Sequence, residues 1–113
     1  MKRVIALIAG ILLSAPAFSI CGNTTRDKDG IACRVDRSGL ISVLRIEVYA
    51  QPGGPQSGAA GEAIRSVIAA FINEGGHSIQ MHTVRNGVSL ERHCAKVKHR
   101  RTEHCGPWIP VGQ

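Results

Sequence analysis

Three hydrophobic patterns follow one another along this chain, and each predicts a different element. Val4 to Leu13 is an almost unbroken apolar run. From Leu44 to Val48 the pattern alternates, with Arg45 and Glu47 between Leu44, Ile46 and Val48, the period of a strand with one buried face. Ile64, Val67, Ile68, Phe71 and Ile72 then recur at spacings of three, one, three and one, a single apolar stripe on a helix.

The strand reading extends over Leu40 to Ala50, and the helix reading over Ala59 to Glu74. Ser57 can cap that helix, Glu62 lies early enough to favour its dipole, and Gly75-Gly76 ends it. Gln51 to Gly58, with Pro52, Pro55, Gly53 and Gly54, reads as a flexible connection. Cys21 to Gly39 is polar and turn-rich without a helical period, so no element is predicted there.

Ser78 to Arg85 and Val88 to Cys94 are strand-like and flank Asn86-Gly87, a strong hairpin signal because both turn positions need positive φ. Pairing Arg85 with Val88 puts Ile79, Met81, Val88, Leu90 and Cys94 on one face with Thr83, Arg85 and Arg92. Gln80, His82, Val84, Ser89, Glu91 and His93 take the other face. A mostly apolar and a mostly polar side make this register physically sensible. It sets His82 across from Glu91 and Cys94 across from Ile79.

In the tail, a helix would hold Cys94 and Cys105 about 16 Å apart, too far to bond. A second hairpin turning near His99-Arg100 would bring them face to face. Pro107 and Pro110 confine Trp108 to Val111 to an edge strand or coil. The expected fold is therefore α+β: a small two-layer domain, one amphipathic helix on a mixed or antiparallel sheet, stabilised by disulfides.

The first apolar run has its own meaning. Lys2-Arg3 precedes it and Ala15-Pro16-Ala17-Phe18-Ser19 follows, the three-part layout of a signal peptide. Cleavage after Ser19, preferred over the alternative after Ala17, would leave residues 20–113 as one mature domain, periplasmic or secreted, and the short leader looks bacterial. The run is too short to span a bilayer comfortably and no second one follows, so no membrane span is expected after cleavage. Acylation at Cys21 is disfavoured, because a lipobox wants a small residue where Ile20 stands. Export changes what Cys21, Cys33, Cys94 and Cys105 mean, from metal or redox ligands to disulfides. Three pairings are open, and the tail hairpin favours Cys21 with Cys33 and Cys94 with Cys105.

Charge localises the expected function. Residues 20–84 carry six Lys/Arg and six Asp/Glu. Beyond them Arg85, Arg92, Lys96, Lys98, Arg100 and Arg101 face only Glu91 and Glu103, so the whole positive surplus of the mature chain sits there. Such a patch suits an anionic macromolecule or acidic protein, with nucleic acid among the partners that fit. The expected binding surface is Arg92, Lys96, Lys98, His99, Arg100, Arg101 and His104.

Three constellations offer chemistry. On the polar hairpin face His82, Glu91 and His93 could act as acid and base on RNA beside the basic segment. Only four aromatic residues are present in the full chain, however, which is few for stacking bases. His93, His99 and His104 could hold a metal, although their spacing matches no known ligand pattern. Asp27-Lys28-Asp29-Gly30-Ile31-Ala32-Cys33 resembles the end of the excalibur calcium-binding motif over about ten residues. Thr25 stands in place of that motif's first aspartate and Arg34 in place of its last glutamate, and an Asp-Gly turn closed by Cys21–Cys33 explains the same residues. No cofactor motif is present. The expectation is an exported binding protein of the cell envelope; a small ribonuclease-like enzyme, a structural envelope protein and a metal-binding protein are the alternatives.

Overall fold

The computed structural model describes residues 20–22 and 24–112; the expected leader, residues 1–19, lies outside them. Helix α1 (Arg26–Asp29) leads into β1 (Ile31–Asp36) and β2 (Val43–Val48), then α2 (Ser57–Asn73). Strands β3 (Ser78–Arg85), β4 (Val88–Lys96), β5 (Glu103–Cys105) and β6 (Ile109–Pro110) complete the chain. The sheet order is β1-β2-β3-β4-β5, with β6 also on β4. Among the described strands only β2 and β3 run parallel, because α2 crosses over between them; the other pairs are antiparallel. This is the expected α+β arrangement on a mixed sheet.

One face of the sheet is covered and the other is open. Leu44 and Ile46 of β2, Ile79, Met81 and Thr83 of β3 and Cys94 of β4 are buried, as are Val67, Ile68, Phe71 and Ile72 of α2. The helical stripe and the hairpin face read from the sequence are thus the two halves of one core. The hairpin register is the expected one, from Arg85↔Val88 to Ile79↔Cys94. Ile20, at the start of the described chain, is 4% exposed and belongs to the same core.

Two local features depart from expectation. The polar stretch before Gly39 contains α1 and the edge strand β1. Thr25 caps α1, accepting from Lys28 N, while the Asp29 carboxylate accepts from Thr25 N. Gly30 ends α1 in the left-handed region at φ 74°, where a Cβ would come 3.0 Å from that of Ala50. Ser57, expected as the cap of α2, is its first helical residue, and Gln56 occupies the cap position without capping it, its side-chain amide donating instead to Arg26 O and Asp27 O of α1.

Both disulfides are local, Cys21–Cys33 and Cys94–Cys105, and the second joins directly paired residues of β4 and β5 with Cα atoms 4.0 Å apart. Pairing shifts by one residue between Cys94↔Cys105 and Glu91↔Ile109, so the returning strand bulges at Gly106 to Trp108. The bulge is pinned by Gly106 N donating to His93 O and by Arg92 Nε donating to Gly106 O. No helix among the described residues is long and apolar enough to cross a membrane.

Candidate functional site

The strand registers set polar side chains in rows across the open face. One row runs Ala32, Glu47, His82 and Glu91, and the next runs Arg34, Arg45, Gln80 and His93. His82 meets its carboxylate on the other side from the one the sequence suggests. Its Nδ1 lies 2.7 Å from Glu47 Oε2 on the parallel neighbour β2, whereas Glu91 bonds His93, Nε2 to Oε1, at 3.2 Å. Glu47 was invisible to hairpin reasoning, because its approach depends on the β2–β3 pairing across the helical crossover. A carboxylate at Nδ1 fixes the ring and leaves Nε2 free to exchange a proton. The row borders a depression of about 450 Å³ lined by Arg34, Arg45, Glu47, Gln80, His82 and Glu91.

Arg45 divides this depression from a second one. Its Nε bonds Asp36 Oδ2 at 3.1 Å and its Nη1 donates to Gln80 Oε1. Asp36 also accepts from the Ser38 hydroxyl and backbone N–H, and these bonds, with Arg45, hold its carboxyl well below the usual aspartate range. Beyond Arg45 lies a depression of about 570 Å³ bordered by Ser78, Gln80, His93, Ala95, His104 and Gly106. With neutral histidines the open face balances Arg34 and Arg45 against Asp36, Glu47 and Glu91. It therefore has no positive surplus with which to attract an anion.

The positive surplus stands at the rim. Lys98, His99, Arg100 and Arg101 occupy the loop between β4 and β5 and are exposed, as is His104 on β5. Val97 N donates to Thr102 O and Arg100 N to Val97 O, and His99 takes φ 64° at the tip. Among the described residues these four side chains form no salt bridge. Arg101 reaches only Asn73 Oδ1, 3.4 Å away at the end of α2, and Lys96 is half-buried with Nζ 3.4 Å from Val97 O.

Arg92 stands apart from the others. It points to the helix side, bonds Gly106 O, and lies 5.1 Å from the centre of the Trp108 ring. That stacked, half-buried cation holds the bulge and is withdrawn from the exposed basic surface.

The metal and calcium readings find no grouping. Among the described residues no three His, Cys, Asp or Glu side chains are placed to share an ion. Cys94 and Cys105 are bonded to each other, His99 sits at the loop tip, and the Asp29 carboxylate is occupied in capping α1. Two disulfides fit an oxidising, non-cytoplasmic compartment. No protein-family model matches the chain, and no curated protein or solved structure shows significant similarity to it.

Proposed function

We propose that this is an exported, disulfide-stapled binding domain that engages an anionic macromolecule through the β4–β5 hairpin. Lys98, His99, Arg100 and Arg101 would make the contact, with Lys96 and His104 at its base. The observation that carries this reading is the position of Cys94–Cys105, which closes the strands below a loop of exposed cations. A loop held in this way loses less conformational entropy when it binds. At low ionic strength the triple variant Lys98→Gln, Arg100→Gln, Arg101→Gln should bind a soluble polyanion about tenfold or more weakly, and added salt should weaken the parent protein in the same way. Binding unchanged by the three substitutions sinks the reading.

The bond between Glu47 and His82 favours one further reading, cleavage of RNA on the open face. In it, Nε2 of His82 takes the proton of a 2′-hydroxyl, whose oxygen bonds to phosphorus as the 5′-oxygen departs. Protonated His93 supplies the proton to that leaving oxygen, and the product is a cyclic phosphate. With a chelator present, His82→Gln should lower cleavage at least about a hundredfold; cleavage that survives the change removes this reading.

A further inference from the structure

The strand directions bring three connections to one rim of the sheet. The β1–β2 loop follows Asp36, the chain from α2 enters β3 at Ser78, and the basic loop follows Lys96; Asp36↔Val43, Val43↔Ser78, Ser78↔Ala95 and Lys96↔Glu103 are all end-of-strand pairs there. The hydrogen bond of Arg101 to Asn73 and a hollow shared by Arg37, Ile41, Phe71 and His77 tie the three together.

At this rim the β1–β2 loop carries an exposed apolar pair, Leu40 projecting fully and Ile41 bordering the hollow. Leu40 is 106% exposed and Ile41 61%, while the exposed large apolar residues elsewhere among the described residues reach at most 53%, at Ile109. The base of this loop is fixed, since Asp36 holds both the backbone and the hydroxyl of Ser38. A short, firmly based loop therefore projects Leu40-Ile41 into solvent. About three strand spacings away, roughly 14 Å, stands the cationic loop.

Resting on the reading of the stapled loop as an anion-binding element, we propose that the partner is an anionic phospholipid bilayer. Leu40 and Ile41 enter the headgroup and acyl boundary, while Lys98, Arg100 and Arg101 lie against the phosphates. Two observations select a bilayer over other polyanions. A soluble polyanion provides nowhere to bury a fully exposed leucine and a largely exposed isoleucine, whereas the bilayer interface provides apolar depth and negative charge together. The rim also lacks the aromatic rings on which nucleic-acid bases stack: Trp108 is engaged by Arg92, and Tyr49 lies under Arg26 with the guanidinium 4.3 Å from the ring centre. The charge agrees, because Arg37, Lys96, Lys98, Arg100 and Arg101 meet only Glu74 and Glu103, while Asp36 is spent on Arg45. Single loops of this kind give reversible, peripheral attachment.

The test uses the oxidised protein recovered from the export route, its N-terminus read by mass spectrometry, with sedimentation on phosphatidylglycerol–phosphatidylcholine vesicles and on phosphatidylcholine alone. Binding should require phosphatidylglycerol and fall with salt. Leu40→Ser with Ile41→Ser should cut vesicle binding tenfold or more, leaving affinity for soluble polyuridylate unchanged. Val84→Thr with Val88→Thr, at the opposite rim, should leave vesicle binding as it was. Neutralising Lys98, Arg100 and Arg101 should weaken both partners, by roughly fivefold per cation on vesicles. Vesicle binding that ignores the Leu40 and Ile41 changes overturns the bilayer proposal, as does binding to polyuridylate combined with no binding to vesicles; in both cases the basic-loop reading stands if neutralising Lys98, Arg100 and Arg101 weakens the binding that is seen. Binding of neither partner overturns the basic-loop reading and the bilayer proposal with it.

Discussion

Strand β4 is joined to its two neighbours by hairpins that are closed in opposite ways. Toward β3 the chain reverses through Asn86-Gly87, with φ 51° and 78°, and pairing continues right up to Arg85↔Val88. Toward β5 pairing stops at Lys96↔Glu103, six residues intervene, and Cys94–Cys105 joins the strands beneath them. In the first hairpin backbone conformation does the closing, so the turn residues are dictated by the geometry they must adopt. In the second a covalent bond does it from beneath, and of the six loop residues only His99 takes a positive φ. The positions on either side of it are filled with Lys98, Arg100 and Arg101. A local hairpin thus spends its sequence on folding, and a stapled one has sequence left for a surface.

The largest effect should come from undoing the staple. Replacing Cys94 and Cys105 together with Ala should cost about 3 kcal/mol of unfolding free energy, the entropy of closing a loop of this length. Urea titration measures it. Affinity for a polyanion should fall in the same variant although no cation has been removed, because the loop must then be ordered on binding. If stability falls and affinity holds, the staple serves the fold alone and the contrast between the hairpins fails in its functional half.

The tight turn should respond differently. Gly87→Ala places a Cβ at φ 78°, and the strain should cost about 1–2 kcal/mol in the same titration. Polyanion binding should not change, since the turn lies at the far rim from the basic loop. A loss of affinity here would mean that the two rims are coupled through β4, and that the division of labour between them is wrong.

What was legible in the sequence follows the same division. The α2 stripe and the Asn-Gly hairpin are local patterns, and the structure has both in the expected register. The tail hairpin was legible because the helical alternative separates Cys94 from Cys105. Strand β1 carries a period-two pattern of its own, Ile31, Cys33 and Val35 against Ala32, Arg34 and Asp36, but the charged residues and turn signals before it concealed the alternation. Its antiparallel partner β2 makes it a strand, a long-range pairing that supplies what local propensity does not. The same holds for the open face. Glu91 could be set beside His82 by counting along one hairpin, but Glu47 reaches His82 only through a parallel pairing of residues separated by the whole of α2. Arg92 shows the opposite failure: composition counts it with the basic surface, whereas a one-residue bulge and Trp108 hold it half-buried on the helix side.

The smallest effect concerns the tip of the stapled loop. His99 is a side-chain-bearing residue at φ 64°, a conformation that favours glycine, so the loop carries a local strain that the Asn-Gly turn largely avoids. His99→Gly relieves it but also gives the unfolded chain more freedom, and these oppose each other. The net should be a gain of about 0.5 kcal/mol or less, read as a small rise in the urea midpoint with the slope unchanged. If the staple rather than the turn residue sets the loop's shape, the Lys98, Arg100 and Arg101 side chains stay where they are and affinity at pH 8 is preserved. A large fall in affinity at that pH would show that the backbone of His99 aims its neighbours. The stapled hairpin would then be as dependent on its tip residue as the tight one is on Gly87.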